Sequence, residues 1–153
     1  MSFTNLTSSL LSGILNQMIY VNSTVGSKIG TILVYTVQTF LPNYLDNSRG
    51  GAYNPRVASS LPLIPLEIQF SWALPWDDQI FLEQAEQTIN ALLQITLNEG
   101  QDVGGSKQIL YPNYALDNTP LSKMYGDNVQ RLMNIRKSWD PDNVMYLTGG
   151  FKF

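Results

Sequence analysis

Histidine and cysteine are both absent from the chain. Their absence closes Ser-His-Asp and Cys-His nucleophilic catalysis, imidazole proton shuttling, disulfides and the usual zinc centres. Acid/base work must fall to Tyr, Asp, Glu, Lys, Arg, amides or backbone groups. Two stretches concentrate such groups. In Leu66-Glu67-Ile68-Gln69-Phe70-Ser71-Trp72 polar and apolar residues alternate, the period-two pattern of a strand with one buried face. The pattern gathers Glu67, Gln69 and Ser71 on the opposite face. In Tyr111-Pro112-Asn113-Tyr114 two phenols flank an amide. A carboxyl raised by burial, or a phenol brought down from a pKa of about 10 by a neighbouring charge or hydrogen bond, can exchange a proton near neutral pH. Against this stand plainer roles: a sheet face that meets water, and a half-buried Tyr114 whose hydroxyl is satisfied.

The elements that must position these groups follow from local patterning. Leu10, Leu11, Ile14, Leu15, Met18 and Ile19 recur at three-and-four spacing and give a helix an apolar stripe, with Thr7 or Ser8 as its cap. Thr31 to Phe40 is rich in β-branched and aromatic residues and reads as a strand that Pro42 stops. From Asn43 to Ser60 the chain turns to Asn, Asp, Ser, Gly, Arg and Pro, which reads as a long surface loop and candidate lid. A second strand runs from Leu63 to Leu74, with Pro65 marking a late start or an edge. Asp77 and Asp78 open a helix with Phe81, Ala85, Ile89, Leu92, Leu93 and Thr96 on one side, and Gly100 ends it. A short strand through Ile109, Leu110 and Tyr111 follows. A last helix from about Ser122 to Ser138 faces Tyr125, Val129, Leu132, Met133 and Ile135 inward, and Pro141 closes it. Phe3 belongs to a leading strand. The fold class expected is α+β, a small antiparallel sheet with helices packed on one face.

The chain has 153 residues, enough for one domain with a hydrophobic core, so residues 1–153 are taken as one unit. Charged residues are only 14% against 44% hydrophobic, so much of the surface is uncharged and invites a partner or ligand. The net charge of -3, with no cluster of bases, argues against nucleic acid and anionic membranes. No stretch approaches the roughly 18 apolar residues of a membrane span. The N-terminus lacks a basic region and long apolar run, so no secretory signal is read and a cytoplasmic location is expected. The triplets Asn5-Leu6-Thr7 and Asn22-Ser23-Thr24 then carry little weight as glycosylation sites.

The series Tyr111-Pro112-Asn113-Tyr114-Ala115, Met124-Tyr125-Gly126-Asp127-Asn128, Arg131-Leu132 and Asp140-Pro141-Asp142-Asn143-Val144 resembles the C-terminal berberine-bridge segment of FAD-linked oxidases of the vanillyl-alcohol-oxidase type. Further upstream, Gln38-Thr39-Phe40-Leu41-Pro42, Gly50-Gly51 and Phe70-Ser71-Trp72 with Asp77-Asp78 resemble the same family's substrate domain. The resemblance thus runs over nearly the whole chain from Phe3. It implies a sheet laid over a flavin ring, with the sheet's polar face as a substrate pocket. By the same resemblance Tyr114 matches a tyrosine that serves some members as the base for a substrate hydroxyl. Glu67 lies on the strand where some members carry an acidic base, and Asn113 matches an asparagine on the flavin side. Tyr114 and Glu67 are therefore the catalytic candidates. Gln38, Gln69, Ser71 and Asn113 are substrate-binding candidates, with Tyr35, Tyr53, Trp72 and Trp76 as apolar walls. Arg131, Asp127 and Asn128 read as capping and surface contacts.

The sequence contains neither the family's pyrophosphate-binding loop nor the histidine and cysteine that many members bond to the flavin. No cofactor and no metal is expected for this chain, and FAD only if a separate flavin-binding chain exists. Two functions remain open. One is a free-standing, flavin-free enzyme: a cyclase, isomerase, dehydratase or pericyclase acting by acid/base groups on a polyketide or terpenoid-like secondary metabolite. The other is a substrate-domain fragment, or half of a split FAD-dependent oxidoreductase. Met1 at the motif boundary favours an independent protein. A homodimer or higher homo-oligomer is expected to cover the face that relatives turn to their flavin domain.

Overall fold

Alternation and β-branching produce the sheet. In the computed structural model, which describes residues 1–40, 51–52, 64–103 and 110–153, β1 is Ser2–Phe3, β2 Ile32–Val37 and β3 Ile64–Ser71. The sheet order is β1-β3-β2, with β3 antiparallel to both neighbours. Because β1 and β2 run parallel with β3 between them, β1, the following helix and β2 make a split β-α-β unit. Register pairs Leu33 with Phe70, Tyr35 with Ile68 and Val37 with Leu66. Leu33, Tyr35, Val37, Leu66, Ile68 and Phe70 therefore share one face of the sheet. Ile32, Val34 and Thr36 share the other face with Glu67, Gln69 and Ser71.

Two long helices cover the first face. Helix α1, Ser8–Val25, is capped by the Thr7 hydroxyl, which accepts from the Leu10 amide at 3.0 Å. It buries Leu10, Ile14, Val21 and Val25. Helix α2, Asp78–Asn98, buries Phe81, Leu92 and Thr96. Met1, Phe3, Leu10, Ile14, Ile64, Leu66 and Leu92 form one core cluster, and Val21, Val25 and Phe81 form a second beneath Leu33, Phe70 and Trp72. The expected α+β architecture, with helices on one face of a small antiparallel sheet, is what the chain adopts. Among the described residues no helix is long and apolar enough to cross a membrane.

Three fastenings set the ends. Gly30 adopts φ 76° beside Ala73, where a Cβ would stand 2.8 Å from the Ala73 Cβ, so the α1–β2 connection packs tightly on the end of β3. The Lys28 ammonium donates to the Asp77 carboxylate at 2.5 Å and joins that connection to the start of α2. Gln101, only 8% exposed, accepts from the Thr4 and Asn5 amides and donates to the Asn5 carbonyl. It thereby ties the strand β1 to the far end of α2.

The C-terminal part departs from expectation. Leu110 and Tyr111 lie in no strand; the Leu110 amide instead donates to the Lys123 carbonyl at 2.8 Å. The single helix expected over Ser122–Ser138 is two, α3 at Ser122–Tyr125 and α4 at Val129–Trp139, because Gly126 takes φ 52° and a 3-10 turn intervenes. Of its residues only Met124 is fully buried, whereas Met133 is 41% and Ile135 44% exposed. The amphipathic pattern of α4 thus faces solvent. The apolar stripe of α1 divides likewise, since Leu11, Leu15 and Ile19 are exposed. The expected lid and Tyr53 lie outside the described residues, apart from Gly51 and Ala52.

Candidate functional site

Proline chemistry starts the site. Pro112 opens a 3-10 turn over Pro112–Tyr114, closed by bonds from the Tyr114 amide to the Tyr111 carbonyl and from the Ala115 amide to the Pro112 carbonyl. The turn sets the Tyr111 and Tyr114 rings edge to face, with centroids 5.0 Å apart. Asn113 donates to the Tyr111 hydroxyl at 2.9 Å. Gln38, one residue beyond β2, donates its side-chain amide to the Tyr114 hydroxyl. The Gln38 backbone N–H donates to the Pro65 carbonyl, so the main chain that carries this side chain is held by the sheet ladder. A phenol gripped this way has its oxygen fixed in place and its proton free to be given.

Tyr114 and Asn113 then meet β3 and α2 around a groove of about 420 Å³. From the sheet come Glu67, Gln69 and Trp72, from α2 Phe81, Leu82 and Ala85, and from the turn Asn113 to Leu116. Consecutive residues Glu67 to Phe70 line it, from both faces of the strand, so the groove runs along the edge of β3. Among the described residues, β1 pairs this edge at Ile64 and Pro65 and, through Met1, at Leu66. The volume lies in the range of small-molecule sites, and the lining is apolar below and polar above. Trp72 is fixed by stacking on Phe81, centroids 4.6 Å apart, and by donating its indole N–H to Asp78 at 2.6 Å.

Five of the sequence candidates thus share one groove: Tyr114, Glu67, Gln69, Asn113 and Trp72. Gln38 reaches it through the Tyr114 hydroxyl. Ser71 lies on the correct face but bonds back toward the Gly30 carbonyl and stays outside the lining. Tyr35 is turned to the helices. Its hydroxyl is buried near that of Thr88, and neither closes a hydrogen bond. Burial pushes the Tyr35 phenol above its usual value, opposed by the Thr88 hydroxyl. Trp76 is 77% exposed and does not line this groove. Phe81, Leu82 and Ala85 were legible only as core residues of a helix; nothing in their spacing signalled a groove. Asn128 stands at the N-cap of α4 without a side-chain capping bond and donates instead to the Gly51 and Ala52 carbonyls at 3.2 and 3.1 Å.

Tyr111, Asn113 and Tyr114 begin a segment with a recognisable pattern. Residues 111–150 match the family model described as Berberine and berberine like. The segment is berberine-bridge-like. The match spans 40 of the 153 residues and takes in the Tyr114 turn, α3, α4 and the Asp140–Asn143 turn, but not Glu67 or Gln38. Neither the curated proteins nor the solved structures yield a match.

A berberine-bridge-like segment raises the question of a flavin dinucleotide. Its pyrophosphate needs converging backbone amides at a helix N-terminus. The first turn of α2 carries Asp78 beside the buried Asp77, and the N-terminus of α1 is occupied by the Thr7 hydroxyl with Glu99 2.7 Å from it. Both ends present negative charge or a satisfied amide, so neither of these two helix ends offers a pyrophosphate site. No step is assigned to a flavin.

Proposed function

We propose that the groove binds a small hydroxylated organic molecule and that Tyr114 and Glu67 move a proton on it, as part of an acid/base enzyme of the cyclase or isomerase kind. The observation that supports this reading is the convergence of Tyr114, from the berberine-bridge-like segment, with Glu67 and Gln69 in one groove, its hydroxyl held by Gln38. A substrate O–H or C–H proton would pass to one of the two oxygens while the other steadies the charge that forms. The apolar floor of Phe81, Leu82 and Ala85 suits a polyketide or terpenoid-like skeleton. A panel of hydroxylated compounds of those two classes, followed by product analysis, tests the reading. Tyr114→Phe and Glu67→Gln should each lower turnover by about 10²–10⁴-fold, the usual worth of a general acid or base. Unchanged rates in both would remove the pair from the chemistry.

One observation favours a second reading, in which the chain is the substrate-binding half of an oxidoreductase completed by another polypeptide. The stripe of Leu11, Leu15 and Ile19 along α1 is exposed. An exposed apolar stripe of this kind marks an association site. For the free-standing enzyme of the first reading, we propose that a second copy covers the α1 stripe, giving a homodimer. Leu15→Glu with Ile19→Glu should return the chain to a monomer by sedimentation; a wild-type monomer at high concentration would refute the dimer.

A further inference from the structure

The buried face of α2 changes character part-way along. Its buried residues run Phe81, Gln84, Thr88, Leu92 and Thr96, so an amide and a hydroxyl, 5% and 0% exposed, come between two apolar residues. Phe81 packs in the core cluster of Val21 and Val25, and Leu92 in the cluster of Phe3, Leu10, Ile14 and Leu66. Gln84 and Thr88 therefore stand at the seam between the two halves of the core. Four residues apart, they share one face of the helix. From the sheet Tyr35 reaches the same place, its hydroxyl beside that of Thr88.

Three oxygens at this seam have no partner among the described residues: Tyr35 Oη, Thr88 Oγ1 and Gln84 Oε1. A buried hydroxyl on a helix usually avoids this by donating to a carbonyl one turn back. Thr96, equally buried on the same helix, donates to the Leu93 carbonyl at 2.8 Å, and Thr24 on α1 to the Tyr20 carbonyl at 3.1 Å. Thr88 forgoes that bond. Gln84 spends its side-chain nitrogen on Gln87 at 3.3 Å and keeps its oxygen unspent. Buried oxygens without partners are rare in folded proteins, and three at one spot call for a partner that they share.

The geometry points to an internal water site at this seam, one molecule bound by Tyr35, Thr88 and Gln84. A water there accepts from the two hydroxyls and donates to the Gln84 oxygen, the three bonds that buried waters commonly make. Other occupants fit less well. A group that only accepts leaves the Gln84 oxygen alone, and a cation meets three neutral oxygens with no charge among them. The water would join the sheet to α2 where the apolar packing is interrupted, and the inference holds whether or not Tyr114 and Glu67 move protons.

The test uses the full chain in solution. Oxygen-17 relaxation dispersion counts long-lived waters and is blind to exchanging hydroxyl protons. The wild-type chain should hold one more such water than the double variant Tyr35→Phe, Thr88→Val, and an isotope-labelled sample should show a water cross-peak on the Thr88 methyl. In urea, each single substitution should lower the unfolding midpoint, because each takes a bond from the water. The double variant should lose clearly less than the sum, because both hydroxyls act through one molecule. Dry oxygens predict the opposite sign: replacing an unpaired buried hydroxyl by an apolar group of like shape would raise the midpoint. A raised midpoint in either single variant, or equal water counts in wild type and double variant, would overturn the proposal. Sub-additive midpoints with an unchanged water count would also overturn it, in favour of a direct bond from Tyr35 to Thr88. Should the double variant fail to fold, a Thr88 methyl without water contact in the wild-type chain decides against the site.

Discussion

Tyr114 depends on one amide. Gln38 is its only hydrogen-bond donor among the described residues, and Gln38 is in turn placed by the Pro65 carbonyl. Gln38→Leu keeps the size and removes the donor, so the phenol loses its tether but not its position in the fold. Ligand affinity is expected to fall by about 1 kcal/mol, the net worth of an ordinary hydrogen bond, with little change in unfolding midpoint. Titration of a groove ligand against Trp72 fluorescence, in a chain carrying Trp76→Phe and Trp139→Phe, measures it. Gly30 is fixed for a different reason. Its φ of 76° and the 2.8 Å approach to Ala73 make Gly30→Ala both strained and crowded. The expected loss is on the order of 1–3 kcal/mol in urea unfolding. Adding Ala73→Gly should return only the crowding part.

Elements are joined by contacts of long sequence separation, and these decide how the secondary structure is assembled. The Asp77 side chain is 8% exposed and its partner is Lys28. Removing the lysine strands a buried charge, which is worse than removing both. Lys28→Met should therefore destabilise by about 2–3 kcal/mol, and adding Asp77→Asn should recover most of that, by equilibrium denaturation. Helices α1 and α2 and the paired strands were legible because their periods are strong and their caps and glycines conventional: Thr7 caps, Gly100 ends, Glu67 and Gln69 alternate with Ile68 and Phe70. The division at Gly126 was not, since the apolar residues on either side keep a helical period that a single positive φ interrupts. The burial of Gln84 and Thr88 on α2 was equally hidden, because polar residues at those positions read as a solvated face. Of the site, residue types and strand parity exposed Glu67, Gln69 and Tyr114. The wall formed by α2, and Tyr35 turning toward the helices, depend on strand order and register, which no local pattern encodes.

For the whole molecule, the position of Met1 couples stability to pH. Its amine is buried against the Leu66 carbonyl, and burial pushes it down from 8.0 to about 6. The unfolded chain therefore takes up this proton first as pH falls. Stability should be full above about pH 8 and decline toward pH 6, by on the order of 2–3 kcal/mol for the two-unit shift. Unfolding midpoints measured across that window check it, and N-terminal acetylation should abolish the slope. The exposed apolar residues of the C-terminal part, Trp139 at 86% and Leu147 at 86%, mark the other surface on which the molecule's associations are to be sought.

The clamp of Gln101 on Thr4 and Asn5 spans 97 and 96 residues of sequence. Synthesis at about 5–20 residues per second leaves the first strand without this anchor for roughly 5–20 s after it is made. Leu66, which β1 must pair with, also comes late. The β1 segment therefore spends that interval without its long-range partners, and it is then that the nascent protein is most open to chaperones and to capture by a strand other than its own.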